Sequence, residues 1–505
     1  MWDLLIPSPR TIRPTADGLP WVVSERITVR GEGDAAAAVA AAAVPRAQRL
    51  MGERGPQWGL TGTGSGSAVI LLSASLPEGH YRIDVESEER RIFAGSTAGW
   101  SWGLATVVQG VLLLSGHSSL LPSERVLPAV QIEDHPHHEW RGFMLDVARH
   151  FFSISVIHNV LDMLWLLRLN RFHLHLTDDQ GWRLPVPEYP KLTTLGAWRS
   201  DETSEEGRYG GSYTAGELRE LDDAARALGI MLVPEIDLPG HSSAAITAYP
   251  EIGVTGDAPG VETRWGIFPA VIDPCSLAAR KFVTTIFATV ADLFHGDYIH
   301  IGGDEVLTEQ WAPYLQEGRT STDLAQEIVQ FMVETVLRLG KTPIAWDEAA
   351  TLDLPQKIVI ANWRGPEWAQ RALSQGHAVI LCPEQQKAYL DHKHLDTPSE
   401  AGRLNVCSVK ESASFEPGEY CASQVGTDKA LGILGGQGNL WTEGIQTERN
   451  IQYMAYVRLA AISEGLWTGD AGTTHWDSSF RVRLHHWRSA LFQRGMAVYP
   501  GPLER

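Results

Sequence analysis

Between Thr214 and His241 the chain reads TAGELRELDDAARALGIMLVPEIDLPGH. Up to Gly229 the pattern is helical. From Ile230 it becomes an apolar, strand-like run that closes on Glu235, Asp237 and His241. A helix feeding a strand that ends in polar residues is one unit of an α/β fold. The same texture recurs on both sides, in GFMLDVAR, RFHLHLTDD, YIHIGGDE, TPIAWDE, IVIANWRG, AVILCP and LGILGGQGNLW, with helical stretches such as SVIHNVLDMLWLLRLN between them. Eight such runs between about Arg141 and Trp441 predict parallel strands joined by crossovers and closed into a (β/α)8 TIM barrel. A doubly wound open sheet would carry a Gly-rich turn after its first strand, and GFMLDVARHF has none.

Before the barrel, short strand-like runs (WVVSERITVRG, AVILLSAS, YRIDVESEERRIFAGS) surround an Ala-rich helical stretch. The expected organisation is a small N-terminal α/β accessory domain at 1–134, the catalytic barrel at 135–475, and a C-terminal helical segment packing on the barrel at 476–505.

In a barrel of this kind the loops after the strands build the active site, so residues at the C-terminal strand ends carry the chemistry. Those positions hold Asp146 and Arg149, Asp178 and Asp179, Glu235, Asp237 and His241, Asp304 and Glu305, Trp346, Asp347 and Glu348, Trp363, Tyr389 and Asp391, and Trp441 and Glu443. Any one carboxylate there is more often a helix cap or an ion-pair partner than a catalyst. Asp179, Asp237 and Asp347 fit that plainer role. A single Trp is more often core. The convergence of carboxylates, Trp and Arg on one rim is what points to chemistry. Trp faces stack on pyranose C–H surfaces while carboxylates and Arg bind hydroxyls. Two adjacent carboxylates suit glycoside hydrolysis, because a neighbouring anion raises the pKa of a general acid.

The bulk numbers agree. Lys plus Arg total 42 against 61 Asp plus Glu, a formal net charge of -19 that repels phosphate backbones, so nucleic acid is not an expected partner. A neutral glycan meets no such repulsion. The longest apolar run, VVQGVLLLSG, reads as too short to cross a bilayer. The N-terminus MWDLLIPSPRTIRP does not read as a signal peptide. Four dispersed cysteines without a CxxC pair suggest a reduced, cytoplasmic chain, a trimmed secreted form being the alternative. Oligomeric state is left open.

A rival reading starts from FHLHLTDD. His173 and His175 lie on one face of a strand, as in several metal hydrolases, with His241 and His300 as further ligands. Paired core histidines are the commoner case, and the expected reading is no metal and no cofactor. A glycan-binding protein on an inactive hydrolase scaffold is the other alternative.

Taken in order, LDVARHF, HLHLTDDQGWR, PEIDLPGH, HIGGDE, AWDE, NWRG and GNLWTE strongly resemble the β-N-acetylhexosaminidases of glycoside hydrolase family 20, and RIFAGSTAGWSWGLATVVQ resembles the end of that family's accessory domain. The resemblance implies an exo-acting hydrolase of terminal β-linked N-acetylglucosamine or N-acetylgalactosamine, on an oligosaccharide or glycoconjugate. It implies retention of configuration by a substrate-assisted route, in which the sugar's own acetamide attacks the anomeric carbon and forms an oxazoline or oxazolinium intermediate. Glu305 matches the general acid and base, and Asp304 the residue that orients the acetamide. Trp346, Trp363 and Trp441 match the acetamide pocket and Tyr389 the hydroxyl on its carbonyl. Arg149 matches the grip on O3 and O4, and Asp391 and Glu443 the O4 and O6 side. Asp178 and His241 match the polar pair behind the two catalytic carboxylates. The long loop GVTGDAPGVETRWGIFPAVIDPC is expected to line the region beyond the first sugar.

Overall fold

A computed structural model describes the chain except for residues 16–17, 54, 61–66, 86–88, 116–124, 316–317, 386, 423–431, 470–475, 477 and 504–505. The boundary expected at 475 falls outside the described residues.

The N-terminal part folds into a seven-stranded mixed sheet: β1 (Thr11–Pro14), β2 (Arg26–Gly31), β3 (Gln57–Leu60), β4 (Ser67–Ser73), β5 (Tyr81–Val85), β6 (Glu89–Ala94) and β7 (Val130–Asp134), in the order β1-β7-β5-β6-β4-β2-β3. Two helices, α1 (Asp34–Met51) and α2 (Thr97–Ser115), pack on it and on each other. Helix α2 corrects one expectation. Its apolar window, Thr97–Leu114, is 18 residues long, enough by length and composition to cross a membrane, because the apolar run begins well before Val107. The window is 94% buried within the protein, between the accessory sheet and the barrel helix α3 (Ile154–Leu166), which is the signature of a core helix. Ser101 Oγ of α2 donates to Leu228 O (2.8 Å) and accepts from Trp165 Nε1 (3.0 Å), so polar contacts also tie the two parts together.

Eight parallel strands close the barrel: β8 (Trp140–Asp146), β9 (Arg171–His175), β10 (Met231–Glu235), β11 (Tyr298–His300), β12 (Thr342–Trp346), β13 (Val359–Asn362), β14 (Ala378–Leu381) and β15 (Ile433–Leu440). The stretch that opens the sequence argument folds as its pattern requires. Thr214 caps helix α4 (Ala215–Ala227) in a capping box with Glu217. Leu218, Leu221 and Ala225 are buried, and Gly229 at φ +70° turns the chain into β10. Register then sets the site level: His175 of β9 and His300 of β11 are both paired with Glu235 of β10. Because side chains alternate along a strand, His173 and His175 share the inner face and Phe172 and Leu174 the outer.

Helix α5 (Leu277–Leu293), α6 (Ser321–Arg338), α7 (Pro366–Ser374) and α8 (Glu448–Thr468) continue the outer ring. The last helix, α9 (Ser478–Gln493), packs on α8, on α2 and on the N-terminal turn Trp2–Leu4. Arg483 pairs with Glu464 of α8 (2.8 Å) and donates to Leu5 O (3.0 Å).

Candidate active site

Strand β11 ends in a turn that only these residues allow. Gly302 and Gly303 take φ of +69° and +96°, and a Cβ at Gly302 would collide with the Asp237 carboxylate. Glu305 follows with φ +49°, a left-handed conformation that costs a non-glycine residue about 1–3 kcal/mol and clusters at functional sites. The strain sends the two neighbouring carboxylates apart. Asp304 is buried, whereas the Glu305 side chain keeps 36% of its surface exposed.

Behind them runs a chain of charged groups. Arg149 Nη2 meets Asp178 Oδ2 at 2.6 Å, and His175 Nε2 meets the same oxygen at 3.0 Å. His241 Nδ1 lies 3.3 Å from Asp178 Oδ1 and 3.1 Å from Asp179 Oδ2, while its Nε2 lies 3.5 Å from Glu305 Oε2 and 3.7 Å from Asp304 Oδ2. Burial alone would lower the His241 pKa, but Asp178, foremost among its acidic neighbours, pushes it well above the ordinary range. His241 is then an imidazolium whose Nδ1 donates to Asp179, while its Nε2, without a hydrogen-bond partner among the described residues, faces the two catalytic carboxylates at ion-pair distance. For Asp304, burial first, and then Glu235 and Glu305, raise the pKa against the pull of His241. Asp304 Oδ1 is buried without a hydrogen-bond partner among the described residues.

Aromatic rings wall the space in front of Asp304. Trp346 is fixed from behind, its Nε1 donating to Glu235 Oε1 (2.7 Å), and its ring lies 5.9 Å from that of Trp441. Tyr389 lies 6.4 Å from Trp441, and the Arg149 guanidinium sits 5.0 Å over the Trp441 ring. Trp363 is held by two carboxylates: its backbone N–H donates to Asp347 (3.0 Å) and its Nε1 to Glu348 (3.3 Å). Asp347 also accepts from Asn362 and Arg364, and Asp179 accepts from Ser243, so both act as loop supports.

Together Arg149, Asp304, Glu305, Trp346, Trp363, Tyr389, Trp441 and Glu443 line one pocket of about 60 Å³. Asp178 and His241 stand behind that wall. So does Asp391, which is fully buried. Arg403 lines the pocket instead, its Nε donating to Asp391 Oδ2 and its guanidinium 5.5 Å over the Tyr389 ring. The sequence reading missed Arg403, which lies on a short strand, Arg403–Val406, outside the barrel. Glu348 was seen at a strand end but given no role. Burial, then the Asp304 and Asp347 charges, push its pKa up to about 8, so it stays protonated near neutrality beside Asp304.

The two histidines of FHLHL enter a network centred on Glu235. His173 Nε2 (2.8 Å) and His175 Nδ1 (2.6 Å) both meet Glu235 Oε2, and His300 Nδ1 lies 3.2 Å from Oε1. Groups such as His173, Glu235 and His300 are close enough to share an ion. His175 is nevertheless clamped on both nitrogens by carboxylates, Glu235 and Asp178, which outweigh burial and raise its pKa well above the ordinary value. His173, His175 and His300 thus meet Glu235 in one network of buried hydrogen bonds and ion pairs.

Residues 138–470 match the family model described as "Glycosyl hydrolase family 20, catalytic domain", and residues 4–135 match "Glycosyl hydrolase family 20, domain 2". A β-N-acetylhexosaminidase of Cellulomonas fimi is 33% identical over 99% of this chain and 97% of its own length. A β-hexosaminidase of Porphyromonas gingivalis is 31% identical over 80% of this chain, a match spanning about half (53%) of that relative. Among solved structures, a Streptomyces coelicolor β-N-acetylhexosaminidase superposes with a TM-score of 0.85 at 28% identity, covering 99% of this chain and 98% of that one. A Streptomyces plicatus β-hexosaminidase variant in complex with its product GlcNAc gives a TM-score of 0.84 at 28% identity, covering 100% and 97%.

Proposed function

The chain belongs to glycosyl hydrolase family 20 and is an exo-acting β-N-acetylhexosaminidase, and we propose that its barrel mouth folds the acetamide arm of a terminal sugar back under the anomeric carbon. The observation that carries this is Asp304 Oδ1, a buried carboxylate oxygen without a hydrogen-bond partner among the described residues, at the base of a Trp-walled pocket. A buried acceptor calls for a donor. The acetamide N–H supplies one, and by binding the charged form it offsets the upward push of burial on the Asp304 pKa.

In the first step the acetamide carbonyl oxygen forms a bond to C1 while the bond from C1 to the leaving oxygen breaks. Glu305 gives its proton to that oxygen. The positive charge that develops on the oxazolinium nitrogen lies against anionic Asp304. In the second step the Glu305 carboxylate takes a proton from water as the water oxygen bonds to C1 from the face the leaving group vacated and the bond from C1 to the acetamide oxygen breaks, restoring the acetamide, so the product keeps the β configuration. A tethered nucleophile held in attacking geometry is worth up to about 7–11 kcal/mol in ideal cases. Trp346, Trp363 and Trp441 hold the methyl end of the arm, and Tyr389 donates to its carbonyl oxygen. His241, an imidazolium between Asp178 and the two catalytic carboxylates, keeps both side chains in place. Arg149, fixed by Asp178, binds O3 and O4. At the O4 and O6 side Glu443 accepts, Arg403 donates, and Asp391 holds Arg403. Loop residue Trp265 is 44% exposed, lies 5.5 Å from the His150 ring and offers a face beyond the first sugar.

The test is hydrolysis of a chromogenic β-N-acetylglucosaminide, followed by NMR of the anomer released. Release of the β anomer, inhibition by a thiazoline analogue of the bicyclic intermediate and no turnover of the matching β-glucoside are expected. Equal turnover of the glucoside, or release of the α anomer, would end this reading.

A further inference from the structure

At the end of the barrel opposite the acidic mouth lies a cavity of about 690 Å³, far larger than the sugar pocket and within the usual range for small-molecule sites. Barrel residues that lead into β8, β9 and β10 form one side, and the first residues of α2 in the accessory domain form the other. Its polar lining is unusual. Arg141 is 1% exposed and Arg171 is half-buried, yet neither forms an ion pair among the described residues. Arg141 donates from Nε to Arg168 O (3.1 Å) and from Nη1 to His138 O (2.7 Å), and its Nη2 has no acceptor. Arg171 Nε and Trp102 Nε1 also lack acceptors. Aromatic faces hold both cations in position: Arg141 lies 4.6 Å over Trp102 and 5.0 Å over Trp467, and Arg171 lies 5.1 Å over Trp140.

Burying a guanidinium without a counter-charge is costly, and two side by side repel each other. Burial, and then Arg171, hold the Arg141 pKa well below its ordinary range. The acids near the cavity compensate only in part: burial holds the Arg171 pKa down and outweighs Glu139 and Asp297, which pull it up. Glu78 and Glu139 are exposed at the rim, and Asp222 is taken by His295 (2.7 Å). Helix α2 begins on the same wall, with Thr97 and Ala98, and so turns the positive end of its dipole toward it. Asn170 and Arg226 add polar groups to the wall, Arg226 being paired with Asp223 (3.0 Å), and Ala98, Ile230 and Met231 give it apolar surface.

We propose that this cavity binds a small organic anion, its oxyanion head held by Arg141, Arg171 and the Trp102 indole N–H and its apolar body against Ala98, Ile230 and Met231. Such a ligand touches both the accessory domain and the barrel, and binding it stabilises their joined state by mass action.

Benzoate serves as the probe, with inorganic phosphate as a head without a body and benzyl alcohol as a body without a head, all at constant ionic strength. Saturable heat in calorimetry and a rise in Tm of the whole chain are expected with benzoate, a weaker rise with phosphate and none with benzyl alcohol. Arg171→Met should remove the benzoate response while hydrolysis of the chromogenic glycoside stays at the parent rate, which also reports that the variant is folded. Independently of any variant, crystals soaked in 4-bromobenzoate should place the bromine in this cavity by anomalous scattering. An equal response to benzyl alcohol would overturn the anionic head, and an equal response to phosphate the apolar body. Bromine located elsewhere, or no benzoate binding to the parent chain, would overturn the site.

Discussion

At the mouth of the barrel Arg149 and Arg403 each meet carboxylates, Asp178 at 2.6 Å for the first and Asp391 for the second, whereas at the opposite end the buried Arg141 and the half-buried Arg171 form no ion pair among the described residues. The mouth leaves about 60 Å³ and the base about 690 Å³. Size therefore points to the wrong end. What marks the catalytic end is convergence: carboxylates, imidazolium and arginine in one connected chain, pressed against a wall of tryptophan. Groups in such a chain depend on one another, so removing one should be felt by its neighbours. The unpaired cations at the base have no such dependants.

The contrast is sharpest at the two catalytic carboxylates. Glu305→Gln should lower kcat/KM for an alkyl glycoside by roughly 10²–10⁴, the usual contribution of proton transfer, with a much smaller loss when the leaving group is an activated phenol. Asp304→Asn should lose roughly 10²–10³ with both leaving groups, since ring closure itself loses its charge partner. Steady-state rates on the two substrate types separate the residues, and equal mild losses would break the division of roles.

Stability probes the same contrast. Arg149→Met should destabilise the fold by roughly 3–5 kcal/mol, because it leaves Asp178 buried with one cation fewer, while Arg171→Met, which removes a cation held by the Asn170 carbonyl and the Trp140 ring but by no ion pair among the described residues, should cost about 1 kcal/mol or less. Urea midpoints at one pH compare them. Similar losses in both variants would mean that the base is as interdependent as the mouth.

A smaller effect follows from Glu348. Its folded pKa of about 8 lies above the ordinary 4.5, so the folded chain keeps a proton that the unfolded chain has lost between those values. Its contribution to stability is complete below pH 4.5 and is lost as pH climbs through 8. Glu348→Gln should flatten that decline in Tm, and an unchanged slope would remove Glu348 from the account. The smallest effect is expected at Trp265, where Ala substitution should raise KM for chito-oligosaccharides several-fold and leave aryl glycosides unchanged.

Much of this was legible in the sequence, for local reasons. Strand runs closing on acids, as in IMLVPEID and YIHIGGDE, carry their own direction, and parallel strands put all such ends on one rim. The period of two in FHLHL sends His173 and His175 to the same face whatever surrounds them. Arg403 was not legible, because the excursion between β14 and β15 returns it to the pocket through tertiary packing alone. Glu348 was visible as a residue but not as a protonated one, since its pKa is set by burial and by Asp304 from the neighbouring strand. Helix α2 looked shorter than it is because its Gly, Ser and Trp residues dilute an apolar pattern that only burial on two sides explains.

The contact between His175 Nδ1 and Glu235 Oε2, 2.6 Å long and sealed from solvent, has a spectroscopic consequence. A proton held there exchanges slowly with water and should resonate far downfield of the crowded amide region. Through Asp178 it is one step from Arg149, so this single line would register each arriving sugar without any label attached to protein or substrate.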